Sequence, residues 1–344
     1  MAAMLRILLC PLLLLALCNW PAAQALDPVA LAVRGLMAEL DSAQRAEACF
    51  ALDDSGRTQW SYLPGKRRGL SLRQMSQKTR QRAHELLRAA LSTQGYLKVT
   101  GIMTLEVVLR ELERAAGGDG TTRDPEQYSF AFFGEPAEGK AFAWRMEGHH
   151  LVITWTNVPG EPCAVTPHFV GTHPATVPSG IATGLEILGR EDEVAITLMQ
   201  SLDEEERNAA LLPGAVPADV LAGPGRDAQS LLSAGLPFTE LESEEIALLD
   251  QLLHEVAADF ETDTAQALLR AWSKVPRSAC RFAWCGAMER QAIHYWRIVL
   301  GRTILEYDQR EAGAGHVHFL WRDLDHDHGG DALQAHLHEH HGAK

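Results

Sequence analysis

Positive charge is scarce in this chain of 344 residues. It carries 31 Lys and Arg against 45 Asp and Glu, a formal charge of −14. A surface of that sign argues against nucleic acid or an anionic membrane surface as a partner. After the first 25 residues no long apolar run follows, so no membrane span is expected in the mature chain. The motifs HExxH, GxSxG, the phosphate loop and CxxC are all missing. Their absence removes the readiest readings as a zinc protease, serine hydrolase, nucleotide-binding enzyme or thiol redox protein.

What is present begins with MAAMLRILLCPLLLLALCNWPAAQA. One early charge, Arg6, precedes an apolar run, and Ala23-Gln24-Ala25 supplies a small-x-small cleavage site. This is the pattern of a secretory signal peptide cleaved after Ala25. A lipid anchor on Cys18 is the competing reading, disfavoured by Leu17 before it. The expected location is secreted or periplasmic. Four cysteines then remain: Cys49, Cys163, Cys280 and Cys285. CRFAWC reads as a strand, and five residues at about 3.3 Å each hold its ends roughly 16 Å apart. A disulfide needs Cα atoms within about 7 Å, so Cys280 and Cys285 should not pair with each other. Any two bridges would run to Cys49 and Cys163, and free buried thiols are the alternative.

With 46% apolar residues the chain can bury a sizeable core. Helical spacing marks Leu26 to Leu40, and a second helix opened by Ser71 with Gln74 as a capping box and broken by Gly95. Ile102, Leu105, Val108, Leu109 and Leu112 mark a third. SFAFFG, KAFAWRMEG and HLVITWTNV read as strands. A loop region is expected from Pro159 to Gly189. Helical stretches then cover Glu191 to Leu212. PGAVPADVLAGPGRD reads as a surface excursion, Ser243 caps a further helix, and another runs from about Thr264 to Trp272. RFAWCG, HYWRIVLG, TILEYD and HVHFLWRD close the chain as strands.

The two strand sets resemble each other. FAFFG at Phe130 matches FAWCG at Phe282, and Trp144-Arg145-Met146 matches Trp296-Arg297-Ile298 at the same offset of 152. The expected fold is therefore α+β: one globular domain over residues 26–336, built from a duplicated unit of helices followed by an antiparallel sheet. The two halves are about 71–158 and 243–323. A polar histidine-rich tail, 337–344, is expected to be solvated.

Twelve of the fifteen histidines lie between His149 and His173 or between His316 and His341. In a strand, residues i and i+2 share a face, so His316 and His318 present two imidazoles side by side while Val317 turns away. That pair could ligate a divalent ion such as zinc, copper or iron. A third ligand could come from EGHH, whose His149 and His150 should point to different faces. The ordinary alternative is a set of hydrogen-bonded structural histidines. His173 could reach over the sheet from a proline-flanked loop, His168 less so. Arg322 and Asp323 end the last strand and could orient a ligand or bind a substrate anion. Glu147, and after it Glu306, are candidate general bases. LDHDHGGD reads as a turn.

Taken in order, WSYLP and RRG, LSTQGY, IMTLE, RDPEQYSFAFFGEP, WRMEGHHL, and HVHFLWRD before a glycine-rich aspartate turn resemble the family called domain of unknown function 3500. The resemblance spans most of the mature chain. It implies an exported α+β protein that retains EGHH and HxH, and it supplies no reaction. His328 stands where an aromatic residue is the usual pattern, which argues against His326 and His328 as ligands. Two functions fit: a metal-dependent enzyme, most simply a hydrolase and alternatively a copper or iron oxidase, or a non-catalytic module binding metal or a cell-surface polymer.

Overall fold

A computed structural model describes residues 27–313 and 315–341. The expected leader, 1–25, lies outside them. Among the described residues no helix is long and apolar enough to cross a membrane.

The first half of the chain folds as α1 (Pro28–Ala38), α2 (Ser42–Ala48), β1 (Cys49–Phe50), β2 (Leu70–Ser71), α3 (Gln77–Ala90), α4 (Thr93–Ala115), β3 (Ser129–Phe133), β4 (Phe142–Gly148), β5 (Leu151–Asn157) and β6 (His168–Thr172). The second repeats the sequence of elements: α5 (Gly189–Ser201), α6 (Glu204–Ala210), β7 (Leu236–Pro237), α7 (Ser243–Ala257), α8 (Thr262–Trp272), β8 (Cys280–Gly286), β9 (His294–Leu300), β10 (Thr303–Gln309) and β11 (Val317–Asp323). A last helix, α9 (Gly330–His341), follows.

Among the described residues all strands join one sheet in the order β1-β3-β4-β5-β6-β11-β10-β9-β8-β7, with β2 beside β3. From β3 to β8 the order is a palindrome about β6 and β11, which pair antiparallel with Val170 opposite Phe319, and β2 on β3 answers β7 on β8. A pseudo-two-fold axis therefore passes through that pair. It also passes between Leu91 and Phe260, which form an isolated antiparallel bridge. There the halves exchange reciprocal backbone bonds, Ser92 N to Asp259 O and Glu261 N to Ala90 O, each 3.1 Å.

The repeat is thus longer than its strand sequences suggest. It starts at α1 and α5, each followed by a short helix opened by an aspartate capping box, at Asp41 and at Asp203. Gly69 and Gly235 are equivalent as well. Both have positive φ, and a Cβ on them would lie 2.3 Å from Phe130 O and 2.4 Å from Phe282 O.

Side-chain alternation gives the sheet two unlike faces. Trp144, Trp155, Trp296, Trp321, Val170 and Phe319 point to one face and form the main core with the helices. The other face carries buried polar residues, among them Arg145, Glu147, Thr154, Arg297, Glu306, Asp308 and His318. Two smaller apolar clusters cover it, from Trp60, Tyr62, Val220 and Ala222 in one and Leu333 in the other.

Several local expectations change. Pro159 to Gly189 contains β6, which prolines on both sides and Gly171 disguise as loop. The Ser71–Gln74 capping box exists but closes a single 3-10 turn; α3 starts at Gln77 after Ser76. Gly95 does not break a helix. It lies in the first turn of α4, where a Cβ would sit 1.9 Å from Asp259 O of the other half. PGAVPADVLAGPGRD is no surface excursion, since Val220 and Ala222 are fully buried on the polar sheet face. The tail is helical to His341, with Leu337 partly buried beside Leu333; residues 342–344 lie outside the described ones. All four remaining cysteines are free, and Cys280 and Cys285 stand at opposite ends of β8.

Two helical glycines test this seam. Gly95→Ala is expected to cost at least about 1–3 kcal/mol, because the new methyl meets a backbone carbonyl that cannot rotate away. Gly35→Ala, whose Cβ would meet nothing within 4 Å, should stabilise α1 by up to about 1 kcal/mol through helix propensity. Urea unfolding of both variants checks the pair; an equal effect of the same sign would contradict the seam.

Candidate metal centre and adjoining cleft

The tight turn between β4 and β5 holds His149 and His150, with His150 at φ +61°. That left-handed residue brings the two rings together, stacked with centroids 3.8 Å apart, where plain strand alternation would send them to opposite faces. The turn is pinned on three sides. Tyr128 Oη donates to His149 O, His150 N to Tyr62 O, and Gly171 N to His150 O.

β11 brings the second set. Val317 faces the main core and His318 the polar face, as alternation requires. Because β11 pairs with β6 and β6 with β5, His316 and His318 arrive beside His150. His150 Nε2 lies 2.8 Å from His316 Nε2. The ligand atoms of His150, His316 and His318 all lie within 4.8 Å of one another. Gly171, opposite His318 in the ladder, leaves the room for this: a Cβ there would be 2.9 Å from His318 Cδ2 and 3.3 Å from His150 Cδ2. His173 stacks on His316 at 4.6 Å.

Each ring has a distinct setting. His318 Nδ1 bonds Asp219 Oδ1 at 2.9 Å and lies 3.6 Å from Asp308 Oδ2. Its other nitrogen, Nε2, is buried without a partner. This carboxylate–histidine pairing is how a metal-ligating imidazole is commonly oriented. Tyr62 Oη donates to the other oxygen of Asp219 at 2.9 Å, and the Tyr62 ring stacks on Phe169. Burial disfavours the cation on His318, but the hydrogen bond to Asp219 and the nearby carboxylate of Asp308 outweigh it and raise the pKa. Burial and the neighbouring histidines push His150 well below its ordinary value and His316 down to about 2. Burial also raises the pKa of Asp308, whose carboxylate oxygens have no hydrogen-bond donor.

A second constellation touches the first. His149 Nδ1 lies 2.5 Å from Glu106 Oε1, a buried carboxylate of α4. Glu106, His149 and His150 also bring ligand atoms within 4.8 Å. Glu106 and His149 form part of the wall of a cleft of about 540 Å³, bounded also by Pro64 to Arg67, Arg73, Thr121, Thr122 and Ser129.

The other residues singled out in the sequence stand apart from this cluster. Glu147 is buried and paired with Arg145 Nε at 2.9 Å. Arg322, at the far end of β11, pairs with Asp327 at 2.6 Å and donates to Ala222 O. Asp323 accepts the backbone N–H groups of Asp325 and His326 and so closes the turn. Glu306 anchors the covering loop by accepting from Leu221 N, Ala222 N and Tyr295 Oη. His168 faces the helices, edge-on to Phe260. His328 is buried in the closing turn, where its carbonyl accepts from Arg57. Glu106, Asp219 and Asp308 had not been singled out. Glu106 alone carried a usable signal, a charge inside the apolar stripe of Ile102, Leu105 and Leu109.

A family model described as "Protein of unknown function (DUF3500)" matches residues 22–330. No curated protein and no solved structure matches the chain.

Gly171→Ala should drive the His318 and His150 rings apart without removing a histidine. The expected result is a folded protein, weakened by about 1–3 kcal/mol of overpacking, whose histidine ring NMR signals shift at these two residues. Unchanged ring signals would mean the cluster is not packed against Gly171.

Proposed function

The chain belongs to the DUF3500 family, and we propose that it is an exported metal-dependent hydrolase whose divalent ion is held by His150, His316 and His318. One observation carries this reading. Three buried or nearly buried imidazoles converge, and the one oriented by Asp219 has its free nitrogen buried with no partner. A buried nitrogen with no hydrogen-bond partner in the protein is costly. Tetrahedral ligation at about 2.0–2.1 Å sets ligand nitrogens roughly 3.3 Å apart, so the 2.8 Å between His150 and His316 needs only a small opening of the rings.

Three nitrogen ligands are the usual complement of a catalytic site that keeps a position open. The ion would supply Lewis acidity to a bound substrate oxygen. The chain supplies the rest. Glu106 fixes the tautomer and tilt of His149, as a carboxylate does for a general-base imidazole. His149, on the cleft wall, can then take a proton from water and return it to a leaving group. Asp219 and Asp308 hold His318 in register. The cleft beside the cluster favours an enzyme over a closed binding module. Were His173, stacked on His316, to complete a fourth ligand, the site would suit the non-catalytic alternative.

The test compares the wild type with His316→Ala/His318→Ala. His338, His340 and His341 are changed to Gln in both, so that the terminal helix cannot hold metal. One tightly bound ion per chain is expected in the first and none in the second, with similar melting curves after chelation. Tight binding that persists in the folded variant would remove the site. Glu106→Gln should keep the ion and lose about 10²–10⁴-fold in metal-dependent turnover of a model ester; undiminished turnover would remove the proton-transfer role.

A further inference from the structure

The internal repeat offers a comparison within one chain. Where the two halves keep the same residues they share a structural need, and where they part at one equivalent place, one copy is doing something else. Gly69 and Gly235 are such a shared need, because both let the backbone pass against a phenylalanine carbonyl. The five residues before them differ entirely. The second copy has Ser230-Leu231-Leu232-Ser233-Ala234, and Leu231 and Leu232 pack against an apolar cluster. The first has Pro64-Gly65-Lys66-Arg67-Arg68, and Lys66 and Arg67 line the cleft next to Glu106 and His149.

These two cations are poorly compensated. Arg67 donates to the carbonyls of Gly65 and Leu63, both in its own loop, and its Nε is buried with no partner. The nearby carboxylate of Glu147 is held by Arg145. Lys66 is exposed and forms no ion pair among the described residues. The acids of the cleft are largely engaged. Asp124 pairs with Arg73 at 2.6 Å, Glu106 with His149, and Glu47 accepts from Gln74. Thr122 and Ser129 add to the lining, as do Ser71 and Thr121, whose hydroxyls already donate to Gln74 Oε1 and Asp119 Oδ1. In a chain of charge −14, the three cations of this cleft, Lys66, Arg67 and Arg73, balance its three acids, and Lys66 and Arg67, which form no ion pair among the described residues, lie beside a candidate catalytic dyad.

We infer that this cleft binds an oxyanion, through Lys66 and Arg67, and that the substrate of the site carries a phosphate, sulfate or carboxylate group. This rests on the enzymatic reading above for its purpose but not for its geometry. A planar guanidinium with free N–H groups matches such an anion in a fork, and Lys66 adds a point charge at the mouth.

The experiment titrates chelated, full-length protein with inorganic phosphate, sulfate and acetate by calorimetry. Saturable binding of at least one anion is expected, and the ranking of the three identifies the class. Lys66→Gln/Arg67→Gln should weaken it about tenfold or more, a loss of the order of one charge-assisted hydrogen bond, while metal stoichiometry stays unchanged. Arg68→Gln, which removes an exposed partner of Asp54, should leave anion binding as it was. If Arg67→Gln lowers the melting temperature, Lys66→Gln alone carries the test, with a several-fold loss expected. His316→Ala/His318→Ala separates the two proposals. Retained anion binding places the anion in the cleft; lost binding places it on the histidines and overturns this inference alone. No saturable binding of any of the three, or wild-type affinity in the folded double variant, also overturns it.

Discussion

The pairing of β6 with β11 is the constraint on which the rest depends. Among the described residues it is the one ladder in the sheet joining first half to second, and it sets the register that places Gly171 against His318. Move that register by one residue and His318 would turn into the tryptophan-rich core. The same ladder fixes the distance from the β4–β5 turn to β11, so the convergence of His150 with His316 and His318 is a product of sheet geometry. At the other end of the axis, Lys98 of the first half lies buried between Glu191 and Asp259 of the second, bonding Asp259 at 2.6 Å. Sharing one ammonium between two carboxylates of the other half in a buried seam keeps the halves in that one arrangement.

The repeat supplies scaffold, and the candidate site lies where the copies diverge. The axis through Val170 and Phe319 makes Phe169 the counterpart of His318, and the offset between β4 and β9 makes Arg302 the counterpart of His150. Phe169 does apolar work, stacked on Tyr62. Arg302 is an exposed turn residue paired with Asp325. Asp308 stands where the first copy has Thr156. A buried carboxylate without a donor is destabilising by itself; its position 3.6 Å from His318 Nδ1 gives it a reason to be there.

Much of the fold was legible because long aromatic and β-branched runs between glycine turns have few other structures open to them. The repeated FAxxG and WR pairs exposed the duplication through its strands. The helical part of the repeat was less visible, since α1 and α5 share only Leu36-Met37 with Leu198-Met199, followed by Leu40-Asp41 and Leu202-Asp203. β6 was hidden by its prolines, His168 and Gly171. In the site, HVH could be read from alternation alone, because a strand leaves i and i+2 no other choice. The EGHH pair could not, because a single left-handed residue, His150, overrides the alternation. Asp219 was out of reach for a different reason: its loop reads as proline- and glycine-rich surface, and only the folded chain lays it over the polar face of the sheet.

The histidine cluster straddles the pseudo-two-fold axis, one histidine from the first half and two from the second. In a symmetric dimer of two identical chains, any change made for one side of such an axis is made for both. A histidine gained at one position would appear twice, and a loop reshaped for chemistry would be lost as packing in its twin. Joining the copies into a single chain removes that obligation. One turn could then become EGHH while its twin stayed VLGR, with Val299 and Leu300 buried, and one loop could gain lysine and arginine while its twin kept leucines for the core. The asymmetry of this molecule is in that sense the freedom that fusion confers on evolution: two copies remain alike enough to fold together, and each is released to fail at what the other does.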